Sequence, residues 1–364
     1  MEKTSMLGLK SRRTTRMPER EPYYPIIDLF AGPGGLGEGF ASLQSDTGEA
    51  VFHSVVSIER DEHAHKTLTL RHFFRSFGDN EVPDAYYDYI AGLIPKDDLI
   101  RQNQTNWEVA EASSQRISLG DQNHTAVQNL ISQRLGKRKR WALVGGPPCQ
   151  AYSLVGRSRM MGSANFENDE RHFLYREYLK IIIDNRPPIF VMENVKGLLS
   201  AKVGGQLVIH KIIKDLTSPK KAVRQNENGL RYKLYGLAST GLFSADSDPS
   251  QFLVRAEMFG VPQARHRMFI VGIREDIEIR PSSLTPSAPP TVKEIIGTMP
   301  KVRSGVSRTE DSAELWRSIL QDVVLSPWYE QIRASGDTKL FNRLSRTISL
   351  IEKSPKRVRA ETYK

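Results

Sequence analysis

Among 364 residues there is one cysteine, Cys149, in the run GGPPCQAYS at 145–153. A thiolate is strongly nucleophilic, and a lone cysteine in a chain of this kind is either a small buried hydrophobe or a reactive group. Gly145, Gly146, Pro147 and Pro148 forbid both helix and ladder, so the thiol sits on a stiff loop, which favours the nucleophile. Further on, Glu193 follows the apolar run Ile189-Phe190-Val191-Met192. An acid in that setting is either solvated at a strand end or partly buried with a raised pKa, able to donate a proton near neutrality. Arg265 and Arg267 alternate in Gln263-Ala264-Arg265-His266-Arg267, so both face one side of an extended segment. Such a pair meets carboxylates, a phosphate or a base oxygen.

A second set of residues has the spacing of a cofactor site. AGPGGLGEGF at 31–40 places Gly32, Gly34 and Gly37 in a G-x-G-x-x-G pattern, directly after the strand-like run that ends in Leu29-Phe30. That setting lets the backbone approach a ligand, though an ordinary tight turn has the same composition. Glu59 lies about 20 residues beyond the glycines, where a ribose hydroxyl is held in dinucleotide folds, or where a strand-end acid is simply solvated. Asp121 ends the segment Ile117-Ser118-Leu119-Gly120-Asp121. It is placed either to meet an adenine amino group or to form a turn.

The elements needed to hold these groups are legible in outline. Strands are expected at 25–30, 51–58, 117–121, 141–144, 189–192, 231–237, 251–258 and 268–273, with helices at 62–75, 126–135, 169–185 and 204–216. Leu68, Leu70 and Phe74 are expected to face inward from the first helix, and Phe173, Tyr178, Ile181 and Ile182 from the third. Apolar strands alternating with helices predict an α/β fold with a mostly parallel sheet, an antiparallel strand near 251–273 and helices on both faces. Residues 1–22 are expected to be a disordered basic tail, 23–280 the main domain with a surface insertion at 76–113, and 281–364 a Pro/Ser-rich linker with a short helix at 291–299, a longer one at 312–334 and a basic, weakly patterned last thirty residues.

Composition narrows the class. With 39% hydrophobic residues and no apolar run of the roughly 18 residues a membrane span needs, the chain is expected to be cytosolic. One cysteine allows neither an internal disulfide nor a thiolate zinc cage. The net charge of +10 is concentrated at the ends: residues 1–20 carry six Lys/Arg against two acids, and residues 331–364 carry nine against three. With the internal run Lys137-Arg138-Lys139-Arg140, this suits a polyanion partner or a solvated basic surface.

Taken in order, these blocks closely resemble the cytosine-C5 DNA methyltransferases, which use S-adenosylmethionine. The resemblance covers 26 to about 274 and implies a Rossmann-like methyltransferase fold. DLFAGPGGLGEGF is similar to the family's cofactor loop, which implies that Phe30, Gly32, Gly34 and Gly35 contact the cofactor. Glu59 resembles the ribose-binding acid, Asp121 the adenine-contacting acid, and Pro148 and Leu174 further cofactor contacts. GGPPCQAYS resembles the nucleophile loop, Glu193-Asn194-Val195 the block of the catalytic glutamate, and Gln263 to Arg267 the Q-x-R-x-R block. The family chemistry makes Cys149 the nucleophile at carbon 6 of cytosine, Glu193 the partner of N3, Arg267 the group holding O2, and Arg265 a brace for the loop or a phosphate. It also implies a flipped base, a 151–168 loop that closes over it, double-stranded DNA as partner and a companion restriction endonuclease.

The family's closing arginine-glutamate and Gly-Asn blocks are not recognisable after residue 281. That leaves a half-enzyme completed by a second chain, a truncated product, or a degenerate relative, and weak or no activity is expected of the isolated chain. A silent DNA-binding partner, an RNA cytosine methyltransferase and a nicotinamide dehydrogenase are the competing functions. The last gives no reason for the Cys and Glu-Asn-Val strand ends.

Overall fold

The computed structural model describes residues 23–78, 82–148, 170–203, 206–224, 229–238, 241–243, 247–299 and 311–352. The expected tail at 1–22, Cys149 and the 151–168 loop lie outside these residues.

Strands β1 (Tyr24–Leu29), β2 (Phe52–Glu59), β3 (Ser114–Arg116), β4 (Ala142–Gly145) and β5 (Ile189–Val195) pair in parallel, in the order β3-β2-β1-β4-β5. Strand β10 (His266–Arg274) adds antiparallel to β5, and β8 (Tyr232–Tyr235) and the short β9 (Leu253–Arg255) add antiparallel to β10. Between β5 and β8 in the chain lie the short antiparallel pair β6 (Lys202–Val203) and β7 (Gln206–Leu207) and the helices α8 (Val208–Thr217) and α9 (Pro219–Arg224). Because β1 has β2 on one side and β4 on the other, the chain changes direction of travel across the sheet at β1. A crevice opens there at the carboxyl ends of the strands.

Alternation along the strands feeds two cores. Ile27, Leu29, Ile58, Leu143 and Phe190 enter one, and Ile26, Val144, Val191 and Ile273 the other. Both faces of the sheet are therefore covered, as a parallel sheet requires. Helix α1 (Gly35–Ala41) follows the glycine turn, and α2 (Glu62–Arg75) starts where Asp61 accepts the Ala64 N–H at 2.8 Å.

Several expectations are corrected. The inward residues of α2 are Leu68, Thr69 and Phe73, while Leu70 and Phe74 are only half-buried. The stretch expected to be an irregular insertion holds three helices, α3 (Asp84–Ile90), α4 (Lys96–Gln102) and α5 (Gln104–Ser113). Helix α5 packs on α2 through Trp107 and Phe73, whose rings lie 5.4 Å apart. The next strand is Ser114–Arg116, not 117–121, because these polar residues continue the ladder beside the end of β2. The 251–258 strand is cut to three residues by a 3-10 turn on each side. Glu193 and Asn194 lie within β5, paired opposite Phe269 and Met268.

The described chain divides into two compact units, Met1–Pro83 with Ile100–Pro289, and Asp84–Leu99 with Pro290–Lys364. In the second, α10 (Val292–Ile296) opens with a Thr291–Glu294 capping box, followed by α11 (Ala313–Gln321), α12 (Pro327–Ala334) and α13 (Thr338–Glu352). The last of these is a helix where the sequence pattern is weak.

Candidate active site

At the carboxyl end of β1 the chain turns sharply. Phe30 takes φ 56°, and Gly32 and Gly34 take 57° and 89°. A left-handed phenylalanine is costly, and such strain is kept where the surroundings impose it. Here Ala31 N–H is held by Ile58 O at 3.0 Å and Gly34 N–H by Ala31 O at 3.0 Å, so the turn is pinned to the end of β2. A Cβ on Gly34 would stand 2.9 Å from Leu68 Cδ1 and 3.2 Å from Arg71 Cδ. This glycine lets α2 close over the turn.

Glu59 ends β2 with both carboxylate oxygens engaged: Oε2 accepts the Gly32 N–H at 2.8 Å and Oε1 the Asp61 N–H at 2.7 Å. The acid locks the glycine turn to β2 and keeps free lone pairs for further donors. A cavity of about 290 Å³ opens beside it, walled by Phe30, Ile58, Glu59, Leu119, Pro148 and Leu174 among others. An apolar cleft with one oriented carboxylate suits a flat ring carrying a hydroxylated sugar, so these residues fit an adenosine-type cofactor.

Of the expected cofactor residues, the cavity gathers Phe30, Glu59, Pro148 and Leu174. Gly32 joins through its bond to Glu59, Gly34 faces α2, and Gly35 starts α1 with open space at its Cα. Asp121 is not brought to the cavity. Its side chain is 81% exposed and pairs with Lys180 on α7 (Glu170–Asn185), while Leu119 is the residue of that segment reaching the wall. Ile58, Arg60, Asp61, Ile117, Leu119 and Gly146 are the lining that sequence reasoning missed. The apolar residue before the strand-end acid was the available signal for Ile58.

The second part of the site lies one strand further along. Glu193 is half-buried, and burial pushes its carboxyl pKa up while the charges of Arg267 and Arg265 pull it down. Arg267 on β10 is two positions off the direct partner of Glu193, and its Nε meets Glu193 Oε1 at 3.1 Å. That diagonal is within a long side chain's reach across an antiparallel pair. Arg267 Nη1 also donates to His266 O at 2.8 Å, which fixes the guanidinium. Arg265 is exposed and precedes β10, so the two arginines do not share one strand.

Gly146 explains how β4 and β5 bring their ends together: a Cβ there would stand 3.1 Å from Glu193 Oε2. Asn194, buried beside Glu193, donates from Nδ2 to Pro147 O at 3.1 Å. The loop that continues into Cys149 is thereby tied to the strand that carries the acid.

Beneath the glycine turn is a smaller polar chamber of about 40 Å³, lined by Asp28, Gly37, His53, Ser54, Ser57 and His72 among others. Neither Asp28 oxygen has a hydrogen-bond partner among the described residues. Burial pushes its pKa up to about 7, the nearby Gly37 amide lowers it and the Glu59 charge raises it. His72 is held neutral, its pKa lowered to about 4 by burial. The bonds agree: Ser113 Oγ donates to Val109 O or Ala110 O, so it accepts from His72 Nδ1–H, leaving Nε2 to accept from the Ser57 hydroxyl.

An open, mostly parallel α/β sheet with this cavity at its switch point defines a Rossmann-like fold of the methyltransferase kind. The chain belongs to the C-5 cytosine-specific DNA methylase family, whose model matches residues 121–349, more than half of it. Among curated relatives, it is 29% identical over 308 residues to the type II methyltransferase M.Bpa9945I of Bacillus paralicheniformis, covering 76% of this chain and 61% of the relative. It is 25% identical over 328 residues to M.DdeI of Desulfomicrobium norvegicum, covering 88% and 57%. The chain thus spans about three fifths of these relatives' length. The solved Entamoeba histolytica methyltransferase EhMeth aligns with a TM-score of 0.42 at 16% identity, over 84% of this chain and 67% of that one. Among the described residues no helix is long and apolar enough to cross a membrane, and no cluster of His, Cys, Asp and Glu could hold a metal ion.

Proposed function

We propose that this chain is a DNA (cytosine-5)-methyltransferase acting on double-stranded DNA, with S-adenosylmethionine as methyl donor, in a restriction-modification system with a companion endonuclease. The observation that carries the reading is the Glu193–Arg267 pair beside Gly146, bound through Asn194 to the loop that leads to Cys149. Family membership and the names of the type II relatives support the substrate.

Phe30, Leu119, Pro148 and Leu174 would enclose the cofactor's adenosine part, and Glu59 would accept from its ribose hydroxyls. When bound, S-adenosylmethionine supplies an electrophilic methyl group on a sulfonium. Carbon 5 of cytosine is a poor nucleophile, so the Cys149 thiolate first forms an S–C bond at carbon 6. The electron pair displaced into the ring is met at N3 by a proton from Glu193, whose carboxyl pKa burial pushes up. Arg267 orients Glu193 and holds the ring O2; Arg265 braces the loop or a phosphate. Carbon 5 then has enamine character and is the methyl acceptor. Loss of the carbon 5 proton to a base, return of the N3 proton to Glu193 and cleavage of the S–C bond restore the ring and release the thiolate. A ring stacked within a duplex cannot reach these groups, so the base is flipped out.

The reading is tested by transfer of labelled methyl from S-adenosylmethionine to duplex DNA, with Cys149→Ser as control. Transfer lost in Cys149→Ser and covalent trapping on DNA containing 5-fluorocytosine are expected. Methylation of RNA alone, or trapping that persists in Cys149→Ser, would overturn it.

A further inference from the structure

The basic run Lys137-Arg138-Lys139-Arg140 lies between α6 (His124–Leu135) and the start of β4. It therefore sits at the amino end of a strand whose carboxyl end delivers Gly146 and Pro148 to the site. In a parallel sheet these are opposite poles. Four residues of β4 alone separate them by about 13 Å, with the flanking residues adding to that.

The same pole gathers more positive charge. Arg138 lies over the Tyr23 ring, 5.8 Å from its centroid, just where the chain enters β1, the neighbour of β4. Arg186, exposed, precedes β5, whose first residue Ile189 pairs with Ala142 of β4. Lys137, Lys139 and Arg140 are exposed, and none makes an ion pair among the described residues. The neighbouring arginines Arg231 and Arg274, by contrast, are matched by Glu275 and Asp276.

A duplex presenting its base at the carboxyl pole cannot lie on this face as well. A span of about 20–30 base pairs is far shorter than the roughly 150-base-pair persistence length of DNA, so one segment does not wrap to both poles. We propose that the amino pole is a second seat for duplex DNA, which holds the phosphates of a different segment from the one being modified. The inference rests on DNA being the substrate. Such a seat carries no base readout; it lets the chain pass from one segment to another without first becoming free.

The test measures how fast a labelled duplex leaves the protein as unlabelled duplex is added in rising concentration. With two seats the departure rate climbs with competitor, because the incoming duplex is captured before the first is released. The triple variant Lys137→Gln, Lys139→Gln, Arg140→Gln, which leaves the Arg138–Tyr23 contact in place, should show a rate independent of competitor. It should keep the wild-type affinity for the first duplex and its methylation rate. The charge-preserving triple variant Lys137→Arg, Lys139→Arg, Arg140→Lys should restore the climb. A competitor-independent rate in the wild-type protein, a climb that persists in the Gln variant, or an equal loss of affinity for the first duplex would each overturn the second seat. If the wild-type protein binds no duplex at all, the substrate assignment fails instead, and that outcome is seen before any variant is compared.

Discussion

Glu59 and Glu193 are the same residue type near the carboxyl ends of two parallel strands, yet their surroundings differ. Glu59 faces backbone: the N–H groups of Gly32 and Asp61 converge on it. Glu193 faces a partly dry pocket and one arginine, with Gly146 pressed against its other oxygen. Two backbone N–H groups hold the Glu59 carboxylate at the cavity wall, while burial pushes the Glu193 carboxyl pKa up against the pull of the arginines. At Asp28, one strand from Glu59, burial outweighs the nearby Gly37 amide, and the pKa rises to about 7. Role here follows from what the fold brings to each carboxyl group.

The sharpest way to break this comparison is Glu193→Gln, which keeps the shape and removes the proton. Turnover should fall by about 10²–10⁴-fold, with cofactor affinity unchanged, in single-turnover methyl transfer and calorimetry with S-adenosylhomocysteine. Turnover that survives while affinity falls would mean that the two acids have exchanged roles.

Asp28→Asn isolates burial alone. In the wild-type protein the folded state holds the Asp28 proton up to about pH 7 while the unfolded chain loses it near 3.8. The folded state thus binds more protons, and stability falls as pH rises from about 4 to 7. The Asn variant lacks this loss, so it should be the more stable protein by on the order of 4 kcal/mol at pH 8, with the difference vanishing near pH 4, in urea unfolding. A pH-independent difference would contradict the buried neutral acid.

Glu59→Gln should weaken cofactor binding by about 10–100-fold, as expected for lost hydrogen bonds to a charged group, and leave turnover at saturation near wild type. Asp121→Asn sets the lower end of the scale. Its carboxylate pairs with Lys180 outside the cavity, so cofactor affinity should stay within about twofold, as for an exposed ion pair. A tenfold loss would place Asp121 in the cofactor site after all.

Much of the fold was legible because its signals are local. The apolar run ending in Leu29, the glycines after it, the helix from Glu62 to Arg75 and the strand of Ile189 to Met192 all follow from short-range periodicity and Gly/Pro punctuation. Helices α3, α4 and α5 were not, since their apolar contacts are few and widely spaced: Ala85, Leu99, Trp107 and Ala110. Strand β3 has no apolar residue at all and exists by pairing with Ser57, Ile58 and Glu59.

The site divides along the same line. Residue types and order within each block single out Glu59, Glu193, Arg267 and Cys149 as candidates, because side-chain identity is a local property; the structure sets Glu59 on the cavity wall and Glu193 beside Arg267. Only the tertiary structure set Arg267 on the diagonal from Glu193, turned Asp121 toward Lys180, moved Leu119 into the cavity wall and put Lys137 to Arg140 at the far pole. Each of these is a relation between segments distant in sequence, decided by strand order and direction, which no local pattern of residues encodes.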